Sequence, residues 1–95
     1  HRDDESKPVE DIIPILDNFV KQGKTRFVGV SNWKTERIEK ANEFIAKENM
    51  TRLVLSQCYF SLAESTPEKF DDSTIVCINK AEYEWYEKSK MPLMA

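Results

Sequence analysis

Short apolar runs alternate with amphipathic helical segments along this chain, and that alternation constrains the fold more than any other feature. The runs cover residues 26–31, 53–60 and 91–95, and they lack the strict in–out alternation of a sheet with one face in water. Helical periodicity covers residues 8–22 and 35–47, and a third segment that ends near Lys90. The order helix, strand, helix, strand, helix, strand predicts an α/β fold, in which right-handed crossovers join parallel strands.

The first helix carries clear signals at both ends. Pro8 suits the first helical position, and Ser6 is an N-cap candidate just before it. Pro14 lies inside the pattern and removes one backbone donor, so we expect it to kink the helix or delay its regular part. Gly23 is expected to end the helix.

The third helix is expected to follow a long polar loop. Its cap candidates are Asp71, Asp72 and Ser73. Its predicted inner stripe consists of Ile75, Ile78, Ala81 and Trp85.

Composition narrows the function classes. The chain is 40% hydrophobic and 33% charged, with a formal charge of −3, and it fits one small domain. Charges of both signs are interspersed, so no basic stripe for nucleic acid is present. No apolar run is long enough to span a bilayer and no signal peptide is visible, which together predict a cytoplasmic protein. Cys58 and Cys77 lack metal-site spacing, and we expect free thiols and no metal.

Ligands in parallel α/β folds bind at the carboxyl ends of the strands, and this rule selects a few polar residues. Ser31 and Asn32 end the first complete strand, and Gln57 lies near the end of the second. If "HRDD" ends an earlier strand, His1 lies on the same rim. Neutral amide and hydroxyl groups suit a carboxamide or a sugar better than a phosphate or a metal.

Each of these residues also has a purely structural interpretation. Ser31 and Asn32 are also good N-cap residues for the following helix. Gln57 is equally suited to binding a loop backbone, and His1 to lying in solvent. The residue types alone leave both interpretations open.

Taken in order, "HRDD", "GKTRFVGVSNW", "SQCYFSL" and "MPLMA" resemble the aldo-keto reductase family over essentially all 95 residues. The resemblance implies a (β/α)8 barrel that reduces aldehydes and ketones with a nicotinamide cofactor, NADP or NAD. A whole barrel needs about 250 residues. Residues 1–95 are therefore expected to form a single partial domain, from the end of the fourth strand to the start of the seventh.

The resemblance also implies residue roles. His1 resembles the catalytic histidine that orients and polarises the substrate carbonyl. Ser31, Asn32 and Gln57 resemble the residues that hydrogen-bond the nicotinamide carboxamide. The family's catalytic tyrosine, lysine and aspartate match no residue here, so the isolated chain is expected to be inactive and to lose the cofactor.

Two further expectations concern the sheet edges. Open edges of a partial barrel pair readily with other chains, which predicts self-association. The alternative function is a non-catalytic α/β module that binds a partner through its open sheet edge.

Overall fold

Helices and parallel strands alternate along the chain. The computed structural model describes residues 2–60, 66, 68 and 73–95. The elements are α1 (Val9–Lys21), β1 (Val28–Ser31), α2 (Thr35–Glu48), β2 (Leu53–Gln57), α3 (Lys80–Ser89) and β3 (Leu93–Met94). The strands form one parallel sheet in the order β1-β2-β3. The predicted α/β architecture is confirmed, and it is that of a partial (β/α)8 barrel.

Helix α1 ends where the sequence predicts but starts differently. Pro8 occupies the N-cap position rather than the first helical position. The Ser6 hydroxyl hydrogen-bonds the side chain of Asp4, so the prediction that Ser6 caps the helix is wrong. The helix runs through Pro14, and Gly23 follows it with φ +73°, the left-handed conformation that terminates helices at low cost.

The core lies between the sheet and the inner faces of α1 and α2. Ile13 of α1 and Ile38 of α2 are 1% and 0% exposed. Complete burial of one such side chain stabilises the fold by about 1.5–3 kcal/mol. The other buried members on these helices and the two long strands are Val9, Ala41, Ile45, Val28, Val30 and Leu53. Their spacing of three or four residues on the helices matches the helical periodicity predicted for both segments.

One carboxylate is buried in this core, and it ties α1 to the segment before β2. Asp17 Oδ1 accepts hydrogen bonds from the backbone N–H and the hydroxyl of Thr51, at 2.9 and 2.8 Å. Its other oxygen lies 2.8 Å from Lys21 Nζ, one turn further along α1. The hydrogen bond from Lys21, followed by those from Thr51, lowers the pKa of Asp17 to about 2.

Strands β1 and β2 pair through an irregularity. Val28 pairs with Leu53, but Val30 pairs with Ser56, so one residue of β1 faces two residues of β2. This is a β-bulge, with the extra residue on β2. The burial pattern of β2 agrees with it, because Leu53 and Ser56 are the two buried residues and lie three positions apart.

Helix α3 starts later than the sequence indicates. It begins at Lys80, so Ile75 and Ile78 lie outside the helix. Asn79 and Glu82 form a reciprocal capping box at its first turn. The preceding segment is extended instead, because Cys77 forms a parallel bridge with Tyr59. The predicted start was therefore wrong, and the cap candidates Asp71 and Asp72 lie outside the described residues.

Cys58 and Cys77 are both buried, and neither forms a disulfide. In the part of the chain that the structure describes, no helix has the length and apolarity needed to cross a membrane.

Candidate functional site

The carboxyl ends of β1 and β2 bring together three of the predicted site residues. Ser31 and Gln57 are register partners at the last position of each strand. Asn32 follows directly, and its backbone N–H donates to the Gln57 carbonyl oxygen at 2.9 Å. Two residues 26 positions apart in sequence thus share one rim, because parallel strands end at the same edge of the sheet.

The Asn32 side chain is fixed by a distant backbone group. Its Oδ1 accepts the N–H of Val76 at 3.0 Å, from the segment that precedes α3. A backbone N–H only donates, so the oxygen of the amide must face Val76 and Nδ2 must face the other way. Nδ2 accordingly donates to Ser31 Oγ at 3.3 Å. Asn32 also holds φ at +56°, a left-handed conformation that asparagine tolerates better than most residues.

This geometry decides against helix capping by Ser31 and Asn32. Helix α2 has Lys34 at its N-cap, and the Lys34 side chain makes no capping hydrogen bond. The Asn32 oxygen accepts instead from the backbone N–H of Val76. The capping interpretation was therefore wrong.

The three side chains retain hydrogen-bonding capacity of both kinds. Ser31 Oγ accepts from Asn32, so its own proton is available for donation. Gln57 is exposed, and its side chain makes no hydrogen bond with any residue the structure describes. The set offers a hydroxyl donor and a free primary amide, which matches a neutral ligand with one acceptor and one donor.

A cavity of about 240 Å³ opens over these residues. It is lined by Arg2, Ser31, Asn32, Gln57, Cys58, Tyr59, Ile75 and Ala95. The volume is somewhat below that of most small-molecule sites, and it suits a single ring with a small polar substituent.

The segment after His1 is anchored beside this rim. Arg37 of α2 binds Asp3 through two hydrogen bonds, Nε to Oδ2 at 2.8 Å and Nη2 to Oδ1 at 2.7 Å. Nη2 also donates to the Lys7 carbonyl at 3.0 Å, and the guanidinium lies 5.1 Å from the centre of the Trp33 ring. The hydrogen bond to Asp3 raises the pKa of Arg37 above its usual value. His1 itself lies outside the described residues, so its catalytic role stays a prediction.

A buried polar chain supports the rim from behind. The Tyr86 hydroxyl donates to Ser56 Oγ at 2.8 Å, and Ser56 Oγ lies 3.6 Å from Cys58 Sγ. The Cys58 thiol in turn donates to the Trp33 carbonyl at 3.9 Å. This polar chain includes Ser56 and Cys58, which flank Gln57, and Trp33, which follows Asn32. Burial raises the pKa of Tyr86 to about 12.

Sequence reasoning missed Arg37, Val76 and this polar chain. Their contacts join residues 30 or more positions apart, and the contact of Val76 uses a backbone group. Contacts of these two kinds produce no local sequence motif. Within residues 2–60, 66, 68 and 73–95, no group of three His, Cys, Asp or Glu side chains is arranged to hold a metal ion.

Comparison with known proteins gives two matches. Residues 1–76 match the family model described as Aldo/keto reductase family. A curated aldo-keto reductase from Gibberella moniliformis (strain M3125 / FGSC 7600) is 37% identical over 68 residues, which make up 72% of this chain. Those residues are 19% of the relative, so the chain spans about a fifth of its length. No solved structure gives a significant match.

Proposed function

The chain belongs to the aldo-keto reductase family, and we propose that it forms the part of an NAD(P)H-dependent reductase that holds the nicotinamide carboxamide. The whole protein would then reduce aldehydes or ketones to alcohols. One observation carries the proposal: the register places Ser31 opposite Gln57, and Asn32 bridges the two strands. The hydrogen-bonding side chains of this set are all neutral, which suits an uncharged carboxamide.

Each residue has a specific part in this proposal. Ser31 donates its hydroxyl proton to the carboxamide oxygen, since Asn32 Nδ2 already occupies one of its lone pairs. The second Nδ2 hydrogen of Asn32 reinforces that contact. Gln57 Oε1 accepts from the carboxamide NH₂ group. Bonds at both ends of the carboxamide stop rotation of the ring and thereby select the face presented to the substrate.

When bound, the cofactor supplies the hydride, and the protein supplies orientation and electrostatics. His1 is proposed to orient the substrate carbonyl, as the family resemblance implies. The assignment to the cytoplasm, the cofactor NADP or NAD, and a small carbonyl substrate belong to the same proposal.

We further propose that these 95 residues do not turn over substrate by themselves. Tyr86 is a poor general acid for the reaction because it is 5% exposed and its pKa is raised to about 12. Titration with NADPH, followed by tryptophan fluorescence, is expected to show no micromolar binding. Micromolar affinity would contradict the view that the chain carries only part of the cofactor site.

Nuclear magnetic resonance with ¹⁵N-labelled chain tests the carboxamide site directly. Millimolar nicotinamide is expected to shift the side-chain amide signals of Asn32 and Gln57. Nicotinate, which lacks the NH₂ donor, should shift the Gln57 signal much less.

A matched pair of variants provides the control. Gln57→Ala should abolish the response of Asn32 to nicotinamide, whereas Gln22→Ala, at an exposed glutamine beyond the end of α1, should leave it intact. Equal responses in the two variants, or no response of Asn32 and Gln57 in the wild type, would refute the proposed site.

A second candidate is self-association through the β1 edge. Phe27, just before β1, is 69% exposed, and Ile15 on α1 is 57% exposed. Among the described residues β1 pairs only with β2, and a large exposed apolar side chain beside such a sheet edge, as Phe27 is, is typical of surfaces that associate.

A further inference from the structure

The bulge in β2 determines which residue stands opposite Ser31. An uninterrupted register from the Val28–Leu53 pair would place Ser56 opposite Ser31. The extra residue moves β2 by one position, so Gln57 takes that place instead. Asn32 then donates its N–H to the Gln57 carbonyl.

The same shift decides which way Gln57 faces. Side chains alternate along a regular strand, so Gln57 would share the face of Leu53, which is buried. With the bulge, Ser56 shares that face and is 0% exposed, while Gln57 lies on the exposed face beside Ser31. The bulge thus places one side chain in the core and the other in the cavity.

Gly29 is the β1 residue that faces the bulge. A Cβ atom at this position would lie 2.8 Å from the carbonyl oxygen of Leu55 and 3.1 Å from its Cγ. A separation of 2.8 Å is closer than real Cβ atoms approach backbone oxygen, so any side chain at residue 29 must push the strands apart or remove the bulge.

We propose that Gly29 is a positioning residue for the carboxamide site: its missing side chain permits the bulge that sets Gln57 opposite Ser31. The inference rests on the proposed function of that pair. It adds to that function the residue that holds the pair in register.

The test compares register and ligand binding in Gly29→Ala. The register is read from the scalar coupling across the hydrogen bond between Asn32 N and the Gln57 carbonyl carbon. We expect Gly29→Ala to lose this coupling and to weaken nicotinamide binding about fivefold, the factor that one lost hydrogen bond of average strength gives. Gly23→Ala is the control: residue 23 has φ +73°, so alanine strains it, but no atom lies within 4 Å of the added Cβ. It should lower stability and keep the coupling.

A compensating deletion separates positioning from general damage. Deleting Val54 removes the extra residue of β2 and leaves Ser31 opposite Gln57 in a regular ladder. Combined with Gly29→Ala, this deletion should restore the coupling and nicotinamide binding.

Three results would overturn the inference. They are an intact coupling in Gly29→Ala, loss of the coupling in Gly23→Ala while that variant stays folded, and failure of the Val54 deletion to rescue Gly29→Ala. If Gly29→Ala does not fold alone, the double variant decides the question. A wild type that keeps the coupling but ignores nicotinamide would instead refute the proposed function.

Discussion

We expect the two hydroxyl groups of the buried polar chain behind the rim to contribute unequally to the stability of the fold. The Trp33 carbonyl only accepts, so Cys58 donates to it, Ser56 donates to Cys58, and Tyr86 donates to Ser56. Removing Ser56 therefore leaves a buried donor without its acceptor, whereas removing Tyr86 does not.

Ser56→Ala leaves the Tyr86 hydroxyl as a buried donor whose acceptor is gone. Tyr86 is 5% exposed, so water replaces that acceptor poorly, and the cost is about 2 kcal/mol. Tyr86→Phe takes away a donor, but Ser56 keeps Cys58 as its own acceptor, so the cost is about 1 kcal/mol. For a chain of this size, each kcal/mol lowers Tm by about 4–8 °C.

The double variant carries the sharpest expectation. With both hydroxyls gone, no buried donor is left unpaired by the loss of Ser56. The two changes together should therefore cost less than the sum of the single changes, by about 1 kcal/mol.

Urea unfolding followed by tryptophan fluorescence measures all three variants. Tyr83→Phe is the matched control, because Tyr83 lies on the same helix and is 44% exposed; it should change stability by less than about 0.5 kcal/mol. If Tyr86→Phe costs more than Ser56→Ala, or if the two changes are additive, the donor order inferred for the chain is wrong.

Two other predictions concern charge and association. Asp17 has its pKa lowered from 3.8 to about 2, so its contribution to stability is complete above about pH 4 and is lost as the pH falls through 2. Asp17→Asn should lower the urea midpoint at pH 7 and reduce its decline between pH 4 and 2, whereas Asp11→Asn, at an exposed position of the same helix, should do neither. Phe27→Asp should reduce self-association in sedimentation velocity runs over a range of concentrations, and Arg26→Asp, which changes charge without removing the apolar ring, should reduce it less. A wild type that remains monomeric throughout that range would contradict association through the β1 edge.

The alternation of apolar runs and helical stripes was enough to predict the order of elements and the parallel sheet. It succeeded because the buried faces of α1 and α2 repeat every three or four residues, which is a local property. It failed at the start of α3, where Ile75 and Ile78 continue the helical spacing but pairing of Cys77 with Tyr59 holds the chain extended. Tertiary pairing there overrides local preference.

The candidate site, too, was predicted from the sequence only in part. The rule that ligands bind at strand ends selected Ser31, Asn32 and Gln57, and the structure brings these residues together. The bulge in β2 was not predicted, because the run "LVLSQ" is apolar without alternation and shows no break in register. The contact between Arg37 and Asp3 spans 34 residues, and no spacing in the sequence indicates it.

The bond between Asn32 and Val76 has a consequence for how this site tolerates sequence drift. Asn32 requires only a peptide N–H at position 76, which every residue except proline provides. The Val76 side chain answers a separate demand, since it packs against the core. One apolar residue can therefore replace another at position 76 during evolution while the amide of Asn32 keeps its orientation. The role of position 76 in the site does not restrict which apolar residue occurs there.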